Sequence, residues 1–373
     1  MTLRIMHTGD VHLGMKFNQY PQISTKLENG RYQALENVIK EANKRNANLL
    51  AVAGDLFDKV NIKQVNLKRT VEILDKFSGD AVVILPGNHD YSDGISKLWD
   101  QFKKEIKGRM LILEAEKIYN LADFAIPAVV YSAPCDSKLS AQNKIGWIKN
   151  LKDRPEAKYH IALAHGALQG FSPDLNDNYF QMNKDELLDI KMDLWLLGHS
   201  HLPYPEQKQV TNQKIFNNGT PEPDGMDCSH PGYAWYIELS ENKAGAKEIK
   251  AERVKTGNYH FSDLEKEILS ESDLEKLVNK ILENKPENKI LRLKITGELT
   301  RTEFNNKDDY LRELRDNCFY AKIDQSNLNM KIDREIIAEE FSESSFPYQL
   351  LTELEDNNQA LHLAYKMLKE VQE

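Results

Sequence analysis

The chain has 373 residues, of which 40% are hydrophobic and 29% charged, a composition typical of a soluble protein with two or three domains. Its longest apolar runs are about seven residues, which excludes a membrane-spanning helix, and the N-terminus lacks the apolar core of a signal peptide. The three cysteines are far apart and odd in number, which argues against a disulfide framework or a zinc–thiolate site and predicts a reducing cytoplasm.

The net charge of −9 is unevenly distributed along the chain. Residues 331–373 contain four Lys or Arg and ten Asp or Glu residues, so most of the excess negative charge lies in this tail. Bound divalent cations would offset the smaller excess elsewhere. The net charge therefore neither supports nor excludes nucleic acid as a partner.

The first third of the chain alternates between predicted strands and helices. Apolar runs predict strands at Leu3–His7, Leu49–Ala53 and Ala81–Leu85. Apolar residues at helical spacing predict helices over Arg31–Arg45 and Gln64–Phe77. Continuous apolar strands separated by helices indicate an α/β fold, with a parallel sheet covered by helices on both faces.

Five predicted strands are each followed by Asp, His or Asn residues. After the first three strands come Asp10 with His12, Asp55, and Asn88 within Pro-Gly-Asn-His-Asp; Ile161–Ala164 leads to His165, and Asp193–Leu197 leads to His199 and His201. Ligands of open α/β sheets bind at the carboxyl ends of the strands. We therefore expect these five strand ends to converge on one site.

The convergent residues form a set of oxygen and nitrogen ligands without a thiolate. They number seven, more than one ion requires, which favours two divalent metal ions with Asp55 as the bridging carboxylate. Mn is preferred for this mixture of carboxylate, amide and imidazole, although Mg, Fe or Zn would also fit. The predicted metal ligands are Asp10, His12, Asp55, Asn88, His165, His199 and His201.

Two residues beside Asn88 are predicted to take part in catalysis. His89 is not needed as a ligand, so it is free to donate a proton to a leaving oxygen or to stabilise charge in the transition state. Asp90 is expected to orient the His89 imidazole. Two metal ions together with such an acid suit in-line displacement at a phosphoryl group.

The motifs D-x-H, GD, GNHD, HG and GHSH over residues 1–205 resemble the calcineurin-like metallophosphoesterase superfamily, and most of all bacterial DNA-repair exonucleases of the SbcD and YhaO type, relatives of the meiotic-recombination-eleven nuclease. The resemblance implies a β-sandwich flanked by helices in four α/β/β/α layers. It implies one metal at Asp10, His12, Asp55 and His201, a second at Asp55, Asn88, His165 and His199, and action of His89 on the leaving group. It also implies a DNA substrate, a homodimer and an SbcC-like coiled-coil ATPase partner.

Beyond the first domain the periodicities change, and we predict three parts, namely a nuclease domain over 1–256, a small α+β capping domain over 257–330 and an acidic helical tail over 331–373. Ser272-x-x-Glu275 is a potential capping box at the start of a helix in the second part. The tail has an apolar stripe of Leu361, Ala364, Tyr365 and Leu368, which either packs on its own domain or binds the ATPase.

Two departures from the family pattern bear on function. Asp58 stands where archaeal and eukaryotic relatives have a histidine, so any role of that histidine in exonuclease action cannot be transferred. The G-D-x-V-D-R-G pattern of protein phosphatases is absent. The leading hypothesis is a Mn-dependent DNA exonuclease and endonuclease in double-strand-break repair, with Lys16 and Lys59 as phosphate contacts. The alternatives are a small-molecule phosphodiesterase or phosphatase of the same fold, and an inactive scaffold.

Overall fold

The computed structural model describes residues 2–173 and 178–372. By their contacts these form two compact units, Met1–His260 and Phe261–Glu373, so residues 331–373 group with the preceding α+β segment. In chain order the strands are β1 (Leu3–Thr8), β2 (Leu49–Ala53), β3 (Ala81–Leu85), β4 (Met110–Ile112), β5 (Ile118–Asn120), β6 (Ala128–Ala133), β7 (Tyr159–His165), β8 (Leu194–Gly198), β9 (Pro203–Tyr204), β10 (Gln209–Thr211), β11 (Ile215–Asn218), β12 (Tyr233–Glu241), β13 (Lys247–Lys255), β14 (His260–Ile268), β15 (Lys289–Leu299) and β16 (Tyr320–Met330).

The helices of the described residues flank these strands. They are α1 (Ser24–Lys44), α2 (Gln64–Leu74), α3 (Leu98–Glu105), α4 (Gly146–Lys149), α5 (Lys184–Asp189), α6 (Glu271–Leu282), α7 (Arg301–Asn317), α8 (Arg334–Glu340), α9 (Phe346–Glu353) and α10 (Asn358–Gln372). In this part of the chain no helix combines the length and the apolar character needed to cross a membrane.

The first unit is a sandwich of two sheets. In the described residues one sheet has the order β10-β13-β12-β1-β2-β3-β4 and the other β5-β6-β7-β8-β11-β9. Strands β1 to β4 are parallel to one another, as are β6, β7, β8 and β11. Buried side chains such as Ile5 and Ala51 from the first sheet pack against Ile161 and Leu196 from the second.

Helices cover the outer face of each sheet. Residues of α1, α2 and α3 share one core with the outward-facing residues of β1 to β3, and a second core joins α4 and α5 to β7 and β8. The four-layer α/β/β/α class is thereby confirmed. The expectation of helices on both faces of one sheet was wrong, because a strand buried between a helix and a second sheet is as continuously apolar as one buried between two helices.

Helix α1 begins at Ser24, seven residues before the predicted start. Gly30 lowered the helical signal there, since glycine is a poor helix former. In the structure the ring of Tyr259 packs against Gly30, and a Cβ atom at this position would lie 2.6 Å from the ring. The glycine is therefore kept for close packing and not to end a helix.

The second unit contains the sheet β14-β15-β16 with α6 and α7 packed on one face. The N-cap of α6 is Ser270, whose side chain accepts a hydrogen bond from the Asp273 backbone, so the capping box predicted at Ser272 was misplaced by two residues. Helices α8, α9 and α10 pack together around Ile337, Phe341 and Leu351. Leu361 is buried in this cluster, and the remainder of the predicted tail stripe packs against it.

Candidate metal centre

The seven predicted ligands lie at the carboxyl ends of five strands that belong to both sheets. Strands β1, β2 and β3 of the first sheet lead to Asp10 and His12, to Asp55 and to Asn88. Strands β7 and β8 of the second sheet lead to the ligands His165, His199 and His201. The five strand ends thus converge on one site, which lies at the junction of the two sheets.

The sheets approach each other closely at this junction. The His165 Nδ1 atom lies 2.8 Å from the Ala53 carbonyl oxygen at the end of β2. The next residue, Gly54, has a φ of +89°, and a Cβ atom there would lie 2.1 Å from His165 Nδ1. Only glycine fits both the backbone conformation and the space, which explains the Gly-Asp sequence at this strand end.

One group of ligands is formed by Asp10, His12 and His201, whose ligand atoms are close enough to hold one ion. The two Nε2 atoms of His12 and His201 lie 3.0 Å apart. Asp10 Oδ1 is 3.8 Å from His201 Nε2, and Asp55 Oδ2 is 3.7 Å from His12 Nε2. These atoms face one another across a short gap, as ligands of a shared ion do.

A second group lies on the other side of Asp55. Asp55 Oδ2 is 3.4 Å from His165 Nε2, and the Asn88 amide oxygen is 2.9 Å from the same nitrogen. His199 Nδ1 lies 3.2 Å from the Asn88 oxygen. Asp55 is the carboxylate common to both groups, which is the position that the sequence predicted for a bridging ligand.

Strained backbone is concentrated in these residues. The φ angles of Asp10, His12, Asp55, His199 and His201 are +50°, +47°, +51°, +108° and +53°, and each is a non-glycine residue in the left-handed region. Such conformations cost about 1–3 kcal/mol each and persist where the surrounding structure enforces them. The backbone conformations that place the ligand atoms therefore lower the stability of the fold.

The charge balance of the site fits bound cations. Burial works against protonation, yet the carboxylates of Asp55 and Asp10 raise the pKa of His165 to about 9. In the same way Asp224 and Asp10 overcome burial and raise the pKa of His201 to about 9. The buried acids thus draw protons onto two ligand histidines, and divalent ions would supply that positive charge instead.

Unpartnered buried atoms also belong to this region. Among the described residues, His12 Nδ1 and Asn218 Oδ1 are buried without a hydrogen-bond partner. The donor set and its compactness together fit two divalent ions. Asp10, His12, Asp55 and His201 would hold one of them, and Asp55, Asn88, His165 and His199 the other.

The two predicted catalytic residues have different surroundings. The His89 ring lies 4.8 Å from that of His12 between centroids, and His89 also forms a ligand-type cluster with His12 and Asp55. Its Nδ1 lies 3.0 Å from the Asp58 carbonyl oxygen, and its backbone N–H donates to Asp55 Oδ1 at 2.8 Å. His89 is thus at the metal centre, as expected.

Asp90 does not orient His89, so that expectation was wrong. Its carboxylate accepts hydrogen bonds from the backbone N–H groups of Gly87 at 2.7 Å and Phe57 at 3.0 Å. The side chain is fully buried, and burial together with Asp55 raises the pKa of Asp90 to about 7. Asp90 ties the loop after β3 to the loop after β2, and the backbone carbonyl of Asp58 takes the orienting role.

Several residues at the site were missed by the sequence analysis. Asn218, at the end of β11, donates to Asp10 Oδ2 at 2.9 Å, and Asp224 Oδ2 lies 2.8 Å from His201 Nδ1. Arg31 of α1 is buried and donates to the carbonyl oxygens of Val11 and Asp10. The polar run Asn-Asn-Gly-Thr, whose two asparagines end β11, was an available signal for a sixth strand end.

A cationic cleft lies between α1 and α2, and residues that follow His12 and Asp55 in their loops line part of it. It has a volume of about 330 Å³, and its basic lining residues are Lys16, Lys59, Lys63 and Arg69. Lys16 and Lys59, the two predicted phosphate contacts, both line it. Lys16 Nζ is already paired with Glu28 Oε2 at 2.5 Å, and the Arg69 guanidinium lies over the Tyr32 ring at 3.9 Å.

Comparison of this sequence with those of known proteins finds several relatives. The chain is 26% identical over 208 residues to the uncharacterized metallophosphoesterase YhaO of Bacillus subtilis, covering 53% of this chain and 48% of that protein. It is 25% identical over 340 residues to the DNA double-strand break repair protein Mre11 of Methanosarcina mazei, covering 90% of this chain and 52% of the relative. The chain thus spans about half the length of the curated relatives it matches.

Solved structures with an overall likeness include the calcineurin-like phosphoesterase YfkN of Bacillus subtilis, with a TM-score of 0.40 and 15% identity over 83% of this chain and 99% of that one. Residues 3–203 match the family of calcineurin-like phosphoesterases. This match covers more than half of the chain and includes all seven predicted ligands. The chain therefore belongs to the calcineurin-like phosphoesterase family.

Proposed function

We propose that this phosphoester hydrolase is a Mn-dependent DNA nuclease acting on duplex ends and single strands. The observation that carries the proposal is the ligand cluster around Asp55, because the loops after β1 and β2 that supply its ligands also line a cationic cleft. The cluster supports phosphoester hydrolysis, and the cleft favours a substrate with more than one phosphate. The similarity to repair proteins named Mre11 over 90% of the chain supports DNA as that substrate.

Manganese is the metal that best suits the proposal, because carboxylate, amide and imidazole ligands occur together in the set. When bound, two such ions supply a nucleophilic hydroxide at neutral pH and stabilise the attacking and leaving oxygens of an in-line displacement. The protein residues fix the ligand atoms and exclude bulk water. Asp10, Asp55, Asn88 and His165 are each at most 2% exposed.

His89 is the group that we assign to the leaving oxygen. The Asp58 carbonyl can only accept a hydrogen bond, so it holds the His89 ring with a proton on Nδ1. The Nε2 atom is then the one that exchanges a proton with the substrate. In its imidazolium form His89 would donate the second proton from Nε2 to the leaving oxygen as the phosphodiester bond breaks, which leaves the neutral ring with its proton on Nδ1.

The cleft is suited to the phosphate backbone that continues from the scissile bond. Gly14 lies two residues after His12, and Lys59 lies one residue after Asp58, so the cleft begins where the ligand loops end. Phosphate contacts position a nucleic acid without reading its sequence. Because Lys16 is paired with Glu28, and Arg69 with Asn29 and the Tyr32 ring, we assign the stronger contacts to Lys59 and Lys63.

The substrate assignment is tested with the purified full chain in Mn²⁺. Labelled linear duplex DNA, single-stranded DNA and the small diester bis-p-nitrophenyl phosphate are compared, with His89→Gln as the variant and Lys149→Ala, on the far side of the sandwich, as the control. We expect cleavage of both DNA forms, lost in the His89 variant only. Hydrolysis of the small diester without any DNA cleavage would instead support a small-molecule phosphodiesterase, and no hydrolysis at all would support a scaffold.

We further propose that α10 binds a coiled-coil ATPase of the SbcC type. The stripe predicted for this contact is occupied, since Leu361 is 2% exposed and its neighbours pack within the tail cluster. The opposite stripe of Leu363, Met367 and Val371 is 62%, 58% and 86% exposed at a spacing of four residues. This face has the form of a helix that binds in an apolar groove. The expected homodimer stays a prediction.

The proposed docking face is tested by co-purification with such an ATPase. The double variant Leu363→Glu and Met367→Glu should abolish co-purification and leave the melting temperature of the chain unchanged. Leu361→Glu is the matched control, and it should lower the melting temperature because it places a charge in the tail cluster. Retained co-purification of the double variant would contradict this assignment of the face.

A further inference from the structure

Arg31 lies on α1 behind the loop that follows β1, and the residue is only 1% exposed. Its Nε donates to the Val11 carbonyl oxygen at 2.6 Å, and its Nη2 donates to the Asp10 carbonyl oxygen at 3.2 Å. Its Nη1 donates to the Glu222 carbonyl oxygen at 3.4 Å. One buried guanidinium thus binds three backbone acceptors, and two of them belong to the segment from Asp10 to His12 that supplies two predicted metal ligands.

The opposite side of this segment is held by the loop after β2. The backbone N–H of Asp10 donates to the Gly54 carbonyl oxygen at 3.0 Å, and that of His12 donates to the Asp55 carbonyl oxygen at 2.9 Å. Asp10 and His12 both have left-handed φ angles, +50° and +47°, which persist only where the surrounding structure enforces them. The loop after β2 therefore holds the N–H groups of the segment, and Arg31 holds the two carbonyl groups before His12.

The geometry of the Arg31 side chain suits this task better than that of other donors. Its planar guanidinium presents several N–H groups in a rigid fork, whereas a lysine ammonium is a compact charge that cannot span the same acceptors. The Thr220 hydroxyl also lies 2.9 Å from the Asp10 carbonyl oxygen, so this oxygen has a second donor. The Val11 oxygen, which has the shortest of the three contacts, is therefore the acceptor that depends most on Arg31.

The two ligands of the segment differ in how their side chains are held. The Asp10 carboxylate accepts a hydrogen bond from the Asn218 amide at 2.9 Å. The His12 Nδ1 atom, in contrast, has no hydrogen-bond partner among the residues that the structure describes, while Nε2 faces His201 Nε2 at 3.0 Å. The position of the His12 ring consequently depends on the backbone that carries it.

We propose that Arg31 is a positioning residue of the metal centre, which holds the carbonyl groups of Asp10 and Val11 so that the His12 imidazole keeps its place beside Asp10 and His201. Arg31 touches neither the ion nor the substrate and acts through the backbone before His12. The inference rests on the metal centre of the proposed function and does not depend on DNA as the substrate.

The first test is a calorimetric titration of the metal-free full chain with MnCl₂. Arg31→Lys should weaken Mn²⁺ binding by about 10-fold or more, within the range usual for residues that orient metal ligands. Arg31→Ala should weaken it further, and methylguanidinium chloride should restore part of the affinity because it replaces the missing fork, whereas methylammonium chloride should not. Arg45→Lys is the matched control, since Arg45 directly follows α1 and pairs with Glu41 and Glu252 away from the segment.

A double-mutant cycle shows whether Arg31 acts through His12. In a His12→Gln background, Arg31→Lys should weaken Mn²⁺ binding by less than about threefold, because the ligand that it positions is already lost. In an Asn88→Ala background, where the altered ligand follows β3, Arg31→Lys should have its full effect. A full effect in both backgrounds would show that Arg31 does not act through His12, and it would overturn the inference.

An unchanged Mn²⁺ affinity in Arg31→Lys would also overturn the inference, even if the melting temperature of this variant fell, because Arg31 would then support only the fold. If Arg31→Ala does not fold, Arg31→Lys decides, since it keeps the charge and a donor. Failure of both variants to fold would assign Arg31 to the core and refute a role confined to the ligand segment. The expected Mn²⁺ affinities without DNA cleavage by the unmodified chain would refute the proposed function alone.

Discussion

The imidazole Nδ1 of His89 lies 3.0 Å from the backbone carbonyl oxygen of Asp58, and this contact links the loop after β3 to the loop after β2. A backbone acceptor fixes the ring without adding a charge, and it would be retained if the side chain at position 58 were changed. It follows that the orientation of the proposed acid is independent of both Asp58 and Asp90 side chains.

Replacing His89 should separate catalysis from metal binding. His89→Gln is expected to reduce phosphodiester cleavage by about 10²- to 10⁴-fold, the usual contribution of a positioned acid. Because His89 is not needed for either group of ligands, the affinity for Mn²⁺ should change less than threefold. Titration calorimetry and a cleavage assay on the same preparation measure both. Loss of one bound ion would show instead that His89 is a ligand, as its proximity to His12 and Asp55 permits.

Removing the Asp90 carboxylate should affect stability first. Asp90→Ala leaves the buried N–H groups of Gly87 and Phe57 without an acceptor, and each such loss costs about 1–3 kcal/mol. We expect the free energy of unfolding in urea to fall by about 3 kcal/mol. Asp93→Ala removes a carboxylate that caps an exposed turn nearby and should cost less than 1 kcal/mol. If the Asp90→Ala variant lost activity but kept its full stability, this result would show that Asp90 orients His89 after all.

The stability of the fold should depend on pH through His7, a buried residue of β1. Burial lowers the pKa of His7 from its ordinary value of 6.5 to about 4, and Nε2 lies 3.1 Å from the Leu197 carbonyl oxygen. Since the folded pKa is the lower one, the contribution of neutral His7 is complete above pH 6.5 and is lost as the pH falls toward 4. The loss amounts to about 3 kcal/mol over this interval.

This pH dependence is measured by urea unfolding in EDTA between pH 7 and pH 4. His7→Gln keeps a donor for Leu197 but cannot take up a proton in this interval. Between pH 7 and pH 4 the unmodified chain should therefore lose about 3 kcal/mol of unfolding free energy relative to His7→Gln. Parallel curves for the two chains would show that His7 does not titrate in this way.

The cationic cleft should be visible in the salt dependence of DNA binding. Lys59→Ala and Lys63→Ala should each weaken binding of any sequence and reduce the slope of log K against log salt by about one. Binding is measured in Ca²⁺ or EDTA to prevent cleavage. Lys149→Ala on α4 makes the same charge change on another layer of the sandwich and should leave the slope as it is. An unchanged slope in the cleft variants would place the DNA elsewhere.

The parts of the site that sequence reasoning predicted are those encoded by single strand ends. Asp10, Asp55 and Asn88 each follow an apolar run directly, and parallel strands bring such residues together whatever else the fold contains. The orientation of His89 could not be predicted in this way, because it depends on a backbone oxygen of another loop. Asp224 was missed for a related reason: its partner His201 lies on a different loop, and a Pro-Asp-Gly sequence is usual in an ordinary turn.

Like the site, the fold was predictable from the sequence only in part. Continuous apolar strands correctly indicated two buried faces, but such a pattern does not distinguish a helix from a second sheet as the covering layer. Gly30 obscured the start of α1, because glycine is a poor helix former. In the structure it allows close packing against Tyr259, a residue distant in sequence. Local helix propensity thus failed to predict the start of α1, because Gly30 serves a long-range contact.

The most direct test of the two-metal centre is a crystal structure of the full chain soaked in MnCl₂, with an anomalous difference map recorded at the manganese absorption edge. We expect two peaks about 3.5–4 Å apart on either side of Asp55, one beside Asp10, His12 and His201 and the other beside Asn88, His165 and His199. A single peak, or peaks away from Asp55, would contradict it.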